Sequence, residues 1–491
     1  MSAPTARPDG TFRLADGVVR GFAAELLLLP TGLVTAAVLT RVLGPEGYGL
    51  FSLAATFMAW LAWTSTAFLA RAAVKIVSEA DDWVPVASSV LRWRLALGAA
   101  STLLVLAAAG PTARALGAPE LAQYLRAFAV DLLLFNLARA YREVLTGTGR
   151  FREVAIVTVV RWTARMVLIV ALVVATGSVM GAVVGSVGAT LAEVLMARHF
   201  QRLSLRGPRG VTPRGMWGVA APLLVYGAAM QLYAKVDLFA LSALGGTVSD
   251  AGLYGAAQNL AVAPGLFALA FAPPLLATLG RLGRNGGHED ARSLGRTALR
   301  VTLALVPVAA LVAGASAEIV RVIFGPAFAG AAPLVALLFA AAVALAVTAV
   351  AVAIVTAAHH TGMVSLLGVG ILAAAVAGHL LVIPRWGATG AATVTAVTGA
   401  VGALVALALV HRVWRVRVAG TALRAALVAA PAYWAAATLT TPSAWGVAAK
   451  LALLALAVAG AFVALGELTG AEVTRLRAAL PGARPAPTRS G

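Results

Sequence analysis

The sequence predicts an all-α polytopic membrane protein of about fourteen transmembrane helices: two parallel-repeat six-helix bundles plus two C-terminal helices. Composition is the first observation. Of 491 residues, 61% are hydrophobic and 12% charged, against roughly 25% charged in an ordinary soluble domain. Mean hydropathy is +0.91. This excludes a soluble enzyme, a secreted domain and a disordered chain. The second observation is continuous apolar length. Residues 50–70, 327–358, 386–410 and 425–449 carry no charge, and a spanning helix needs about 20 apolar residues. Barrel strands would alternate over about 10 residues, so helices are the spanning element. The third observation is how the positive charges are distributed.

In order, the spans read as 18–40, 50–70, 95–115, 121–141, 154–175, 177–198, 217–243, 251–278, 299–317, 329–356, 362–383, 387–410, 422–440 and 446–466. With the N-terminus inside, 28 of the 38 Lys and Arg fall in inside segments. The five outside are Arg41, Arg114, Arg126, Arg321 and Arg385. This positive-inside bias sets the orientation. It predicts a cell (inner) membrane protein with both termini cytoplasmic. The net charge of +19 is then mostly topology, and no nucleic-acid partner is expected. No cleavable signal is expected at the N-terminus. The domains read as a cytoplasmic segment 1–17, a first bundle 18–200, a basic linker 201–216, a second bundle 217–411, two further helices 412–467, and a disordered tail 468–491.

The bundles carry an internal repeat. Gly44-Pro45-Glu46-Gly47-Tyr48-Gly49-Leu50-Phe51 follows the first span, and Ala251-Gly252-Leu253-Tyr254-Gly255-Ala256 opens the eighth. Tyr48-Gly49 matches Tyr254-Gly255 at an offset of 206, as does Gly181-Ala182 with Gly387-Ala388. Ala115-Leu116-Gly117-Ala118-Pro119 resembles Ile323-Phe324-Gly325-Pro326-Ala327 at an offset near 208. An even number of spans separates the copies. The halves therefore run in parallel about a pseudo-two-fold along the membrane normal, an arrangement that encloses a central site.

The stretch Arg41-Val42-Leu43-Gly44-Pro45-Glu46-Gly47-Tyr48-Gly49-Leu50-Phe51 resembles the first-loop signature of prokaryotic polysaccharide flippases. These belong to the multidrug/oligosaccharidyl-lipid/polysaccharide exporter superfamily. The repeat with two extra helices is similar to its flippase branch. The resemblance implies alternating-access translocation of undecaprenyl-pyrophosphate-linked oligosaccharide for surface polysaccharide assembly. It implies membrane lipids as surroundings, and polymerases or glycosyltransferases of the same pathway as partners. It also places spans 1, 2, 7 and 8 around the central cavity. A lipid II flippase and a cation-coupled multidrug exporter are the alternatives, though family drug exporters usually have twelve spans. A membrane-embedded glycosyltransferase would need paired carboxylates and a large outside loop, and neither is evident.

No enzymatic or cofactor chemistry is expected. Cysteine is absent, and no Lys sits in a phosphate-cradling Gly-x-x-x-x-Gly-Lys-Ser/Thr context. His359-His360 has no nearby acid, so no metal site is expected. Ionisable groups within spans are the informative residues, because exposing them to lipid is costly. Lys235, with Arg20, Arg161 and Arg165, is the cationic candidate for contacting an anionic headgroup. Gln231, Tyr254, Gln258 and Asn259 suit sugar hydroxyls or helix–helix hydrogen bonds. Glu25, Asp237 and Glu193 are coupling or structural acids; Glu25 could pair with an Arg of a neighbouring helix, and Glu193 with Arg161 or Arg165. Asn136, Arg139 and Glu143 share a helical face and read as an interhelical seam. Asp131 reads as nearer the outside and exposed. Pro30, Pro222, Pro264, Pro307 and Pro333 mark possible hinges.

Overall fold

The computed structural model describes residues 23–67, 70–203, 221–284 and 286–467, and every regular element among them is helical. The first bundle comprises α1 (Leu28–Ala67), a short α2 (Ala70–Glu79), α3 (Trp83–Ala115), α4 (Leu121–Gly147), α5 (Phe151–Thr176) and α6 (Val179–Phe200). The second comprises α7 (Ala221–Ala243), α8 (Val248–Leu260), α9 (Val262–Arg284), α10 (His288–Leu303), α11 (Leu305–Gly314), α12 (Ser316–Phe324), a 3-10 turn (Pro326–Ala331), α13 (Ala332–Ala357) and α14 (Thr361–Trp414). A hairpin of α15 (Ala419–Thr438) and α16 (Ala444–Ala464) completes the described chain.

Among the described residues, ten helical stretches are long and apolar enough to cross a membrane. Two supply two crossings each. α1 reverses at Gly44, whose φ is 66°, and α14 at Gly387, with φ 53°. A residue without Cβ takes the left-handed geometry cheaply. Pro45 follows at the start of the returning segment, where a missing N–H costs nothing. The outside loop expected over 41–49 is therefore one sharp kink. The predicted spans 8 and 9 are each broken, at Ala261 between α8 and α9 and at Ala304 between α10 and α11. The ten stretches thus give twelve crossings, and α7 and α15, at 23 and 20 residues also long enough to span, make fourteen among the described residues.

Three expectations are corrected. The repeat landmark Gly181 lies inside α6, and the turn belongs to Gly177, φ 61°. The counterparts Gly117 and Gly325 do both turn through positive φ. Pro333 starts α13 rather than bending a helix, whereas Pro264 and Pro307 stand three residues past the breaks at Ala261 and Ala304, where each removes an amide from the helical ladder. Arg94, expected in an inside loop, is buried within α3. That helix begins at Trp83 because Asp82 accepts a hydrogen bond from the Val84 amide at 3.1 Å, capping it well before the apolar run.

Packing follows the chain. In the first bundle α3 lies on α4, and α6 on both α4 and α5. In the second, α14 packs on α7 and α13, and α9 on α13. Between the bundles, α1 reaches across to α8, α7, α12 and the 3-10 turn. Large apolar side chains such as Leu103, Leu366, Leu381 and Leu456 remain exposed, as a helix solvated by lipid requires.

The hairpin packs on α10, α11 and α12 of the second bundle and is clamped at both ends. At one end Lys450 pairs with Glu318 and donates to the Ala436 carbonyl at 3.0 Å, while the Thr441 amide donates to Glu318 at 2.6 Å. At the other, Glu467 accepts from Arg300 at 2.7 Å, from Thr421 at 2.9 Å and from Arg424. Burial opposes ionisation of Glu467, but these three donors outweigh it and hold the carboxyl below its ordinary value of 4.5. A lowered folded value means that the stabilisation is full above pH 4.5 and is lost as pH falls through the lowered value. Glu467→Gln should therefore cost about 1–3 kcal/mol at neutral pH. In acid the deficit should disappear, as thermal unfolding in detergent across pH will read.

Candidate functional site

The signature stretch forms the junction of the bundles. Downstream of the Gly44 kink, α1 runs beside α8 at backbone contact. A Cβ on Gly49 would lie 2.0 Å from the Val248 carbonyl oxygen, and one on Gly252 2.0 Å from that of Pro45. A Cβ on Gly255 would lie 2.1 Å from the Ser52 hydroxyl oxygen. No side chain fits such gaps. The pairing of Gly49 with Gly252 and of Ser52 with Gly255 shows that the two segments run parallel, as two copies of a parallel repeat must. Asn259 Nδ2 donates to the Tyr48 hydroxyl at 3.5 Å, and Phe328 meets the Tyr48 ring edge-on at 5.9 Å. The junction lies at the arginine-poor end of the helices. Gly252→Val should force the bundles apart there. Cysteine cross-linking between the ends, in this cysteine-free chain, should fall sharply if the contact is as close as described.

Inside the first bundle, charged groups form a chain. Glu25, in the helical turn before α1, accepts from Arg142 at 3.0 Å and from the Trp162 indole at 3.2 Å. Arg142 also faces Glu193 at 3.5 Å, and Arg161 faces the other oxygen of Glu193 at 3.2 Å. The Arg139 and Arg161 guanidiniums both lie over the Phe135 ring, at 4.9 and 5.5 Å. Glu25 thus has an Arg of a neighbouring helix, and Glu193 takes Arg161 rather than Arg165. Four guanidiniums, of Arg139, Arg142, Arg161 and Arg165, accompany three carboxyls, of Glu25, Glu193 and Asp131. The surplus cation makes the interior electropositive.

The expected seam on α4 divides. Asn136 and Glu143 do face a partner helix, both bonded to the buried Arg94 of α3. Arg139 does not join them. Asp131 is not the exposed residue expected: it is half-buried, and its Oδ1 is buried without a hydrogen-bond partner. Sequence reasoning missed Arg94 and Arg142 by assigning both to inside flanks. Their signal was the polar stripe Asn136, Arg139 and Glu143, which called for a partner on another helix.

Arg165, at the edge of this network near Asp131, and Lys235 are held differently. Both are half-buried, and neither has an ion pair or hydrogen bond among the described residues. Arg165 stands eleven residues before the end of α5 at Thr176, and Lys235 eight before the end of α7 at Ala243. Both helices end at the arginine-poor side, so the cations lie about 16 and about 12 Å in from it along their helices, inside a hydrocarbon core of about 30 Å. They belong to different bundles. Gln231, one turn before Lys235, is also half-buried and without a partner among the described residues. Arg20 lies outside the described residues.

Of the two roles expected for Tyr254 and Gln258, both residues take the helix–helix hydrogen bond. Tyr254 is fully buried and donates to Asp237 at 2.8 Å, and Gln258 donates to the same carboxylate at 3.0 Å. The Leu238 amide and Thr395 hydroxyl complete the shell, at 2.8 and 3.5 Å. A buried carboxylate must collect donors, and Asp237 engages the Tyr254 hydroxyl and the Gln258 amide nitrogen. Asn259 faces Tyr48 at the junction instead.

Known structures share this architecture. The lipid II flippase MurJ in an inward closed conformation is 15% identical, with a TM-score of 0.69 over 91% of this chain and 98% of that one. An inward-facing multidrug resistance MATE family transporter of the MOP superfamily is 15% identical, with a TM-score of 0.59 over 85% and 94%. A MOP superfamily transporter from Pyrococcus furiosus, described by a reversed polarity of its binding pocket, gives 0.51 at 15% identity over 85% and 95%. Among curated proteins no match is found. At these identities the structures establish the fold alone. The family rests on sequence: the polysaccharide biosynthesis protein family matches residues 15–277, more than half of the chain, and this multi-pass membrane protein belongs to it.

Proposed function

We propose that this protein flips an undecaprenyl-pyrophosphate-linked oligosaccharide across the cell membrane by alternating access, for surface polysaccharide assembly. The observation that carries the reading is that Arg165 and Lys235 lie within spans of different bundles with no hydrogen bond or ion pair among the described residues. An intramembrane charge without a partner is costly and marks a substrate pathway. A pyrophosphate crossing the bilayer loses hydration, and fixed cations replace part of it. The polyprenyl tail stays in lipid while the sugars pass between the bundles. Family membership and the shared transporter fold support the same reading. With the arginine-rich face in the cytoplasm, both termini are cytoplasmic, and the glycine junction closes the far side in this state. Pathway glycosyltransferases would supply the substrate on the inner face.

The test uses purified protein in vesicles, with a fluorescent lipid-pyrophosphate oligosaccharide added and no nucleotide present. Protein-dependent movement between leaflets is expected. Retention of the probe in one leaflet would overturn the reading. Preference for a lipid-linked muropeptide would move the protein to the peptidoglycan pathway.

A further inference from the structure

Arg41 opens the signature stretch, yet it lies far along its helix from the cationic interior. Its Nη2 donates to the Val322 carbonyl of α12 at 2.6 Å. Its stem passes over Gly325, whose φ of 91° ends that helix. Val322 lies in the last turn of α12, where carbonyls lack intrahelical partners and the helix dipole presents partial negative charge. A guanidinium from the first bundle thus caps a helix of the second. We propose that Arg41 is the latch of the junction: its bond to α12 holds the arginine-poor ends of the bundles together and releases when they separate.

The surroundings fit a bond made to be broken. Arg41 is exposed, so water takes over both the guanidinium and the carbonyl when the ends part, and little is lost. The links from α12 toward the hairpin contrast with it. Glu318 and Lys450 form a buried pair backed by the Thr441 amide, and Arg321 donates to the Thr441 carbonyl at 3.2 Å. Separating a buried pair strands a charge. α12 is therefore joined permanently to the hairpin and reversibly to the first bundle. The glycine contacts beside Arg41 hold by close packing, and the junction's Asn259–Tyr48 bond is long and uncharged, so the latch supplies the charge-assisted bond that the packed surfaces lack.

The inference rests on the two-state reading above, but its test needs no substrate. Spin labels go on Glu120→Cys in the first bundle and Ala329→Cys in the 3-10 turn, both exposed positions at the arginine-poor end of a chain without native cysteine. Double electron–electron resonance in vesicles should give a short distance for the parent. Arg41→Ala should raise the ratio of a second, longer population by roughly three- to tenfold, the worth of an exposed charge-assisted bond. Arg41→Lys, which keeps a donor, should fall between. Arg321→Ala, which cuts a bond within the second half, should leave the distribution unchanged. A lower unfolding temperature for Arg41→Ala with an unaltered distribution would assign the residue to stability alone and overturn the latch. A distance shift in protein that fails the flipping assay would overturn the substrate reading and leave the latch standing.

Discussion

Lys235→Ala should leave expression and membrane insertion near normal but reduce flipping by about a hundredfold or more. At an effective dielectric near 20, one contact between unit charges at about 4 Å contributes roughly 4 kcal/mol. No hydrogen bond or ion pair among the described residues holds that ammonium, and Asp237 is the acid near enough to feel it. Lys235→Arg should retain partial activity. It keeps the charge but replaces a mobile point donor with a rigid fork that holds phosphate more firmly. The competing idea, that Lys235 merely neutralises Asp237, makes a different forecast: removing both charges would restore transport. The donors around Asp237, from Tyr254, Gln258 and the Leu238 amide, argue that Lys235→Ala/Asp237→Asn stays inactive. Full activity of Lys235→Ala in the vesicle assay, at equal protein level, would remove the headgroup role.

Arg94→Met should be the most damaging single change to stability, by about 3–5 kcal/mol. It leaves Glu143 buried between α3 and α4 without its cation, and Asn136 without the guanidinium it accepts from. The paired variant Arg94→Met/Glu143→Leu should recover most of the loss, because two well-packed apolar side chains avoid the cost of burying charge. Thermal unfolding of the purified variants reads both. A mild loss in the single variant would mean that Glu143 reaches water.

The acids and cations illustrate how far one-dimensional reasoning reached. Glu25, Glu193, Arg161, Arg165 and Lys235 were legible because a charge within a long apolar run is improbable unless something receives it. The receiver was not legible. Arg142, bonded to Glu25 and facing Glu193, reads in sequence as a loop-flanking arginine, and an arginine near a span end serves topology as readily as a partner helix. Tyr254 and Gln258 fall on one stripe and read equally as sugar ligands or as helix glue. Their assignment depended on Asp237 of α7, placed against them by packing between helices.

Composition and period determined the class, the number of crossings and the parallel repeat, because hydrocarbon solvent forces every backbone polar group into a helix and the length of each apolar run sets each crossing. Arginine placement supplied the proposed orientation for the same reason: charge partitions between loops and spans along the chain. Partnership was decided by tertiary structure alone. Which guanidinium meets which carboxylate, which glycine touches which carbonyl, and which cations remain unpaired depend on helix rotation and on contacts between residues up to 281 positions apart, as for Arg41 and Val322. Those energies are pairwise and short-ranged in space, so they leave no periodic trace in the sequence.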